Sequence, residues 1–160
     1  MSHEIFIVDP AYADVNRFED TCEAVWEEVE DLRNQFEVAE ELLKLVGREH
    51  DAQVVDELTT LAYERNRKRP ALTTVELVQV VAAIHGLTAD YLAQGYLDNT
   101  YGQSPAQIEL LRGRTPVLAY DKTIDGNQSS LLIQTLAGVA TLEKVLQRAI
   151  DMNAHVALSY

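Results

Sequence analysis

Residues 14–47 read DVNRFEDTCEAVWEEVEDLRNQFEVAEELLKLVG, and this stretch decides the predicted fold. Its apolar side chains recur at alternating spacings of four and three, which is the pattern of a coiled-coil helix. The predicted seam consists of Phe18, Cys22, Val25, Val29, Leu32, Phe36 and Leu43, joined by Ala39 and Val46. Asp14 can cap the amino terminus, and Gly47 can adopt the left-handed conformation that ends a helix. The sequence therefore predicts one acidic helix, roughly 48 Å long.

Two arrangements of this long helix are compatible with the sequence. A helix longer than a small domain needs is expected to reach a second subunit, and its seam would then join two copies as a homodimer. The helix could instead be the longest member of a monomeric bundle, because Trp26, Leu42 and Leu45 widen the apolar stripe beyond a two-stranded seam. The two arrangements do not exclude each other.

The charge of the chain is concentrated in its amino-terminal part. The whole chain has 13 basic and 26 acidic residues, a net charge of −13, which disfavours nucleic acid and anionic membranes as partners. Residues 1–64 hold eighteen acids and four bases, a net of −14, whereas residues 65–160 hold eight acids and nine bases, a net of +1. No signal peptide and no membrane-spanning apolar run are recognisable, so we expect a cytoplasmic protein without membrane contact.

The middle of the chain, residues 53–112, is predicted to be helical. Thr73 and Glu76 have the spacing of a capping box, and Gly86 can end the helix that they begin. That helix is nearly apolar all round, so we expect it to be the central buried helix. The predicted helices here are 54–65, about 74–85, about 88–97 and 104–112, with a polar connection at 48–52.

The last third, residues 115–160, is predicted to fold as strand, helix and strand, the helix running from Ser129 or Ser130 to about Met152. Apolar, partly β-branched runs predict a sheet of about three short strands. These strands are 5–8, 117–120 and 155–158. The fold class is therefore mainly α, of the α+β type, with 1–160 as a single domain comprising the long helix 14–47, the helical middle and this last third.

A local resemblance covers residues 64–95. Residues 64–70 read ERNRKRP and residues 86–92 read GLTADYL, and together they resemble the second half of a phage-repressor-type helix-turn-helix. The second of these segments, continued by Tyr96, Gly102 and Ser104-Pro105, is also similar to the AraC-type helix-turn-helix. The resemblance implies a dimeric DNA-binding regulator. The corresponding reading helices carry Asp56 and Glu57, or Asp90 and Asp98, and carboxylates disfavour contact with phosphates.

A second resemblance concerns acidic pairs. Glu27-Glu28, followed by Glu30-Asp31, and Asp56-Glu57 on the next helix resemble the magnesium carboxylates of MazG-like nucleotide pyrophosphohydrolases. That resemblance implies divalent ions held against a nucleoside triphosphate. A solvated acidic helix face is the alternative explanation.

The combined pattern favours a non-enzymatic, acidic interaction or regulatory protein that binds another macromolecule, expected to be a protein, and that self-associates through its long helix. No catalytic residue, metal ligand set or cofactor is predicted, and the four histidines and Cys22 show no metal-ligand spacing. The candidate partner-binding residues are Glu27, Glu28 and Asp31 in the acidic part and Arg65, Arg67, Lys68 and Arg69 in the basic cluster. That cluster either docks on the acidic helix face or contacts phosphates.

Overall fold

The central strand of a small sheet lies near the amino terminus in the computed structural model, which describes residues 4–12, 25–29, 32, 34–65, 72–93 and 128–158. Within these residues the protein is mostly helical, with three antiparallel strands. The elements are β1 (Ile5–Val8), a 3-10 helix (Pro10–Tyr12), β2 (Val25–Val29), α1 (Gln35–Leu45), α2 (Glu49–Arg65), α3 (Thr74–Ile84), α4 (Leu87–Ala93), α5 (Gln128–Asp151) and β3 (His155–Leu158).

The sheet has the order β2-β1-β3, so the first strand is its centre. Ile5 lies opposite Val29 on one side and Leu158 on the other. The central strand is apolar and buried, as the sequence predicts for residues 5–8. Leu72 extends the sheet beyond β3 through two backbone hydrogen bonds with Val156, at 3.0 and 2.9 Å. The predicted strands 5–8 and 155–158 are confirmed, and the predicted strand 117–120 lies outside the described residues.

Residues 25–29 are a strand, so the prediction of one continuous helix from 14 to 47 is wrong at these positions. Val25 and Val29 are four residues apart, a spacing that fits one face of a helix and equally fits alternate positions of a strand. Valine and tryptophan favour β-structure, and backbone hydrogen bonds to β1 hold the segment extended. The helical part begins only at Gln35, and residues 14–24 lie outside the described residues.

The predicted seam contributes to the core of a single subunit. Leu32, Phe36 and Leu43 are buried among residues of the same chain, while Val25 and Val29 are half-buried in β2. Side chains enclosed within one subunit cannot also form an interface with a second copy. Leu32, Phe36 and Leu43 are therefore not available for a seam between two subunits. The homodimer itself stays a prediction, and Phe18 and Cys22 lie outside the described residues.

Helices α1 and α2 form a hairpin, and the backbone conformation of Gly47 explains the turn between them. Gly47 has φ +80°, a conformation that favours glycine. Its amide donates to the Lys44 carbonyl at 3.1 Å, and the Arg48 amide donates to the Leu43 carbonyl at 2.9 Å, which is the Schellman arrangement. The predicted helix end at Gly47 is confirmed. The chain re-enters a helix at Glu49, so the predicted connection at 48–52 is mostly helical.

Helix α3 begins and ends as predicted but is not buried on all sides. The capping box between Thr73 and Glu76 is present, and Gly86 follows the helix with φ +74°. Leu77 and Val80 are buried against the core, whereas Val75 is 70% exposed and Val78 is 49% exposed. The prediction of a wholly buried central helix is therefore wrong for one face. Across the described residues, no helix is long and apolar enough to cross a membrane.

Candidate functional site

Of the predicted basic cluster, Arg65 has a structural partner. Its Nη1 atom lies 2.5 Å from Glu76 Oε1, which also accepts from the Thr73 amide at 3.0 Å. Burial alone raises the pKa of Glu76, but the hydrogen bonds from Thr73 and Arg65 outweigh it and hold the pKa below its usual value. Arg65 therefore stabilises the start of α3. Arg67, Lys68 and Arg69 lie outside the described residues.

Two of the predicted acidic partner-binding residues, Glu27 and Glu28, lie on strand β2. Glu27 accepts a hydrogen bond from Arg148 of α5, and Glu28 is exposed on β2. Asp31 lies outside the described residues. Of the carboxylates in the MazG-like resemblance, Glu27 and Glu28 lie on a strand and Asp56 and Glu57 lie on a helix, while Glu30 also lies outside the described residues. Among the residues that the structure describes, no group of three or more histidine, cysteine, aspartate or glutamate side chains is arranged to hold a metal ion.

A different set of acidic side chains does come together, between α1 and α2. Two neighbouring depressions of about 400 and 410 Å³ share Glu40 and Asp56 in their linings. We call the combined feature the acidic groove; its lining residues are Glu37, Glu40, Glu41 and Lys44 of α1, with Glu49, His50, Gln53, Asp56, Thr59, Thr60 and Tyr63 of α2. It has five carboxylates and one ammonium group. The groove is therefore a shallow, open and strongly negative surface depression.

Helical periodicity places these residues in the groove. Glu37, Glu40, Glu41 and Lys44 have the spacing i, i+3, i+4 and i+7, so they share one face of α1. The opposite face of α1 is apolar and buried in the core. The residues of α2 that face them follow the same spacing of four and three. The Gly47 turn then brings the two polar faces side by side.

Lys44 is the groove's single ammonium group. Its Nζ atom lies 2.8 Å from Glu40 Oε1 and 3.5 Å from Glu41 Oε1. The hydrogen bond and the negative charge of Glu40 outweigh desolvation and raise the pKa of Lys44 above its usual value. Glu37 and Asp56 form no ion pair with any residue in the described ranges. The groove therefore keeps an excess of unpaired negative charge.

Thr59 is the buried polar residue of the groove. It is 8% exposed and lines the same depression as Glu37, Glu40 and Asp56. Its Oγ1 atom has no hydrogen-bond partner among the described residues. Such an unpaired buried hydroxyl is destabilising and uncommon in native proteins. The oxygen itself is almost completely enclosed by the protein.

A second, smaller feature lies between the α3–α4 turn and α5. His85 Nδ1 lies 2.7 Å from Glu143 Oε1, beside a cleft of about 160 Å³ whose lining includes Leu136 and Val139. The imidazole of His85 pairs with Glu143, while Arg48 takes two of the last carbonyls of α3 and its C-cap. His85 itself is largely exposed, so this pair has little shelter from water.

Sequence reasoning missed the acids of α1 and the role of Arg48. The signal for the acids was present in residues 37–44, which read EVAEELLK and place three glutamates on one helix face. It was obscured by the assignment of the acidic surface to Glu27, Glu28 and Asp31. Arg48 had no comparable signal, because three of its four partners lie 35 or more residues further along the chain.

No family model, curated protein or solved structure matches this chain.

Proposed function

We propose that the protein is a non-enzymatic binding protein that holds a basic segment of a partner protein in the acidic groove. The observation that carries this proposal is the grouping of five carboxylates against one ammonium group in a single formed groove. Each exposed ion pair contributes only about 0.2–1 kcal/mol. Several of them together give useful affinity, and a concentrated negative field accelerates the encounter with a cationic partner.

The dimensions of the groove support an extended segment as the occupant. Along α2 the lining extends from Glu49 to Tyr63, which is roughly 20 Å at the rise of an α-helix. An extended chain of about six residues has this length, and its alternate side chains point to one face. Such a segment with a basic residue at every second position would place its charges along the groove.

The charge of the helices disfavours DNA as the partner. The exposed face of α2, which corresponds to a reading helix in the phage-repressor-type resemblance, carries Asp56, Glu57 and Glu64. In α4, which belongs to the AraC-type reading helix, Asp90 already binds Arg48 at 2.9 Å. Phosphates approaching either helix would meet carboxylates. The proposal therefore favours a cationic protein segment over nucleic acid.

Calorimetric titration with a peptide that alternates basic residues with serine tests this function. We expect binding at low salt that weakens as salt is raised, because the attraction is between exposed charges. The substitutions Glu37→Gln, Glu40→Gln and Asp56→Asn together should abolish binding.

A variant with the same net charge provides the matched control. It carries Glu57→Gln, Glu64→Gln and Asp151→Asn, three exposed acids outside the groove. This control should bind the peptide like the unaltered protein. Equal weakening in both variants would contradict a groove site and indicate a diffuse effect of net charge. Salt-dependent retention of duplex DNA, or magnesium-dependent release of phosphate from nucleoside triphosphates, would contradict the proposed function directly.

A further inference from the structure

We propose that the cleft between the α3–α4 turn and α5 binds a small neutral molecule that joins a ring-sized apolar body to a hydroxyl group. The cleft lies on other helices than the acidic groove, so this ligand is additional to the partner segment of the proposed function. Two features carry the inference. One is the size and apolar lining of the cleft, and the other is a hydrogen-bond acceptor at its edge.

The size of the cleft sets the size of the ligand. Its volume is about 160 Å³, and an apolar cavity of about 150 Å³ is large enough to bind benzene. Its apolar walls come from the core of the protein, so packing holds them in place. These walls are Leu136 and Val139 of α5 with Ile84 and Leu87 beside the turn. A six-membered ring therefore fits the cleft and contacts apolar side chains from more than one helix.

His85 provides a hydrogen-bond acceptor at the edge of this cleft. Its Nδ1 atom lies 2.7 Å from Glu143 Oε1, and both residues line the cleft. A carboxylate only accepts hydrogen bonds, so Nδ1 of the neutral imidazole carries the proton and Nε2 keeps its lone pair. Nε2 has no partner among the described residues, and the side chain is 79% exposed. A ligand in the cleft can therefore donate a hydrogen bond to Nε2.

The surroundings of this acceptor decide which polar group the ligand carries. An anion would be repelled by Glu143, and a cation would lose its water against the apolar walls. A wholly apolar ring would gain the same walls but would make no hydrogen bond to His85. The hydroxyl group is neutral, small and able to donate one hydrogen bond. It therefore matches the edge of the cleft better than these alternatives.

Nuclear magnetic resonance titration with phenol and fluorobenzene tests this site. The two probes have nearly the same size, but only phenol can donate a hydrogen bond. At about pH 8, where imidazole is neutral, both should shift the methyl signals of Leu136 and Val139. The ratio of the two Kd values is then compared between proteins, because the different water solubilities of the probes cancel. His85→Phe keeps a ring and removes the acceptor, so it should reduce the preference for phenol roughly fivefold, the effect of one hydrogen bond.

Two further variants locate the probes and the acceptor. Ala140→Leu fills the cleft from the surface of α5 and should abolish the binding of both probes. Thr88→Val removes the other hydroxyl at the cleft and should leave the preference for phenol unchanged. His85, Ala140 and Thr88 lie outside the buried core, so all three variants should fold, which circular dichroism checks.

Three results would overturn the inference. The first is that neither probe shifts the signals of Leu136 and Val139 in the unaltered protein. The second is that a folded Ala140→Leu variant binds the probes as before. The third is that the preference for phenol survives His85→Phe or disappears in Thr88→Val, because the acceptor would then not be His85.

Discussion

Replacing Arg48 by alanine should weaken the fold more than any other change to a charged residue named here. Its guanidinium joins three helices, with Nε 2.8 Å from Asp51 of α2 and Nη1 2.9 Å from Asp90 of α4. Nη1 also donates to the His85 carbonyl at 2.9 Å, and Nη2 donates to the Ala83 carbonyl at 2.7 Å. These carbonyls belong to the end of α3, where a helix leaves its last acceptors unpaired. Arg48→Ala would free all four partners together.

The size of the effect follows from the exposure of these groups. Arg48 is 20% exposed, while Asp51 and Asp90 are 33% and 39% exposed, so both ion pairs are partly screened by water. The two ion pairs are expected to contribute about 0.5 kcal/mol each, and the two carbonyl hydrogen bonds about 1 kcal/mol each. Arg48→Ala should then lower the free energy of unfolding by about 3 kcal/mol, a fall in Tm of roughly 6–12 °C.

Urea unfolding followed by circular dichroism measures this difference. Lys44→Ala is the matched control, because it also removes a cation with two carboxylate partners but frees no helix carbonyl. We expect the control to change the free energy of unfolding by less than about 1 kcal/mol. Arg48→Lys should be intermediate, since an ammonium group keeps the charge but cannot reach three directions at once. A loss below about 1 kcal/mol for Arg48→Ala would refute the role of Arg48 as the link between these helices.

Three further predictions concern the packing of the sheet and helices. Burial lowers the pKa of His155, only partly opposed by the charge of Glu76, so the folded protein favours the neutral imidazole. The contribution of neutral His155 to stability is therefore present above the pKa of about 6.5 that histidine has in the unfolded chain. This contribution is lost as pH falls through the lower pKa of His155 in the folded protein. His155→Gln should flatten the urea stability profile in this window, and an unchanged profile would contradict the assignment. Thr73→Ala should lower the free energy of unfolding by about 1 kcal/mol in the same assay, because the capping box is lost. Thr73→Ser should retain most of this stabilisation. Gly138→Ala should give less than the gain of about 1 kcal/mol normal for a helix interior, because a Cβ there would lie 2.7 Å from Gln35 Oε1 and the flexible Gln35 side chain would have to move. The gain should appear when Gln35→Ala is present, and additive effects of the two changes would contradict this.

The elements that the sequence predicted correctly are those with local chemical causes. The capping box of Thr73 and Glu76 and the glycine at 86 determine both ends of α3 from a few neighbouring residues. Strands β1 and β3 are short apolar runs that need no distant information to be recognised. The exposed face of α3 could not be predicted, because an apolar side chain indicates only that its burial is favourable. It does not indicate whether another element is present to cover that face.

Strand β2 could not be predicted in the same way, because its conformation depends on distant partners. The spacing between Val25 and Val29 fits both a helix and a strand, and the choice is made by backbone hydrogen bonds to β1, about twenty residues earlier. Once these residues are extended, Leu32, Phe36 and Leu43 no longer continue a coiled-coil seam. They become ordinary core residues. One long-range pairing therefore placed these three residues of the predicted seam in the interior of a single chain.

The acids of the groove could be predicted in part, and the positions of Glu40, Glu41 and Asp56 support the proposed binding function. Glu37 and Glu49 lie in the first turns of α1 and α2, where negative charge complements the helix dipole. Glu40, Glu41 and Asp56 lie beyond the first turns, where that benefit fades. Lys44 alone offsets the first two, and Asp56 has no ion pair among the described residues. Like charges held close together destabilise the isolated hairpin. Repulsion of this kind supports the proposed cationic occupant, because a bound cation would remove it.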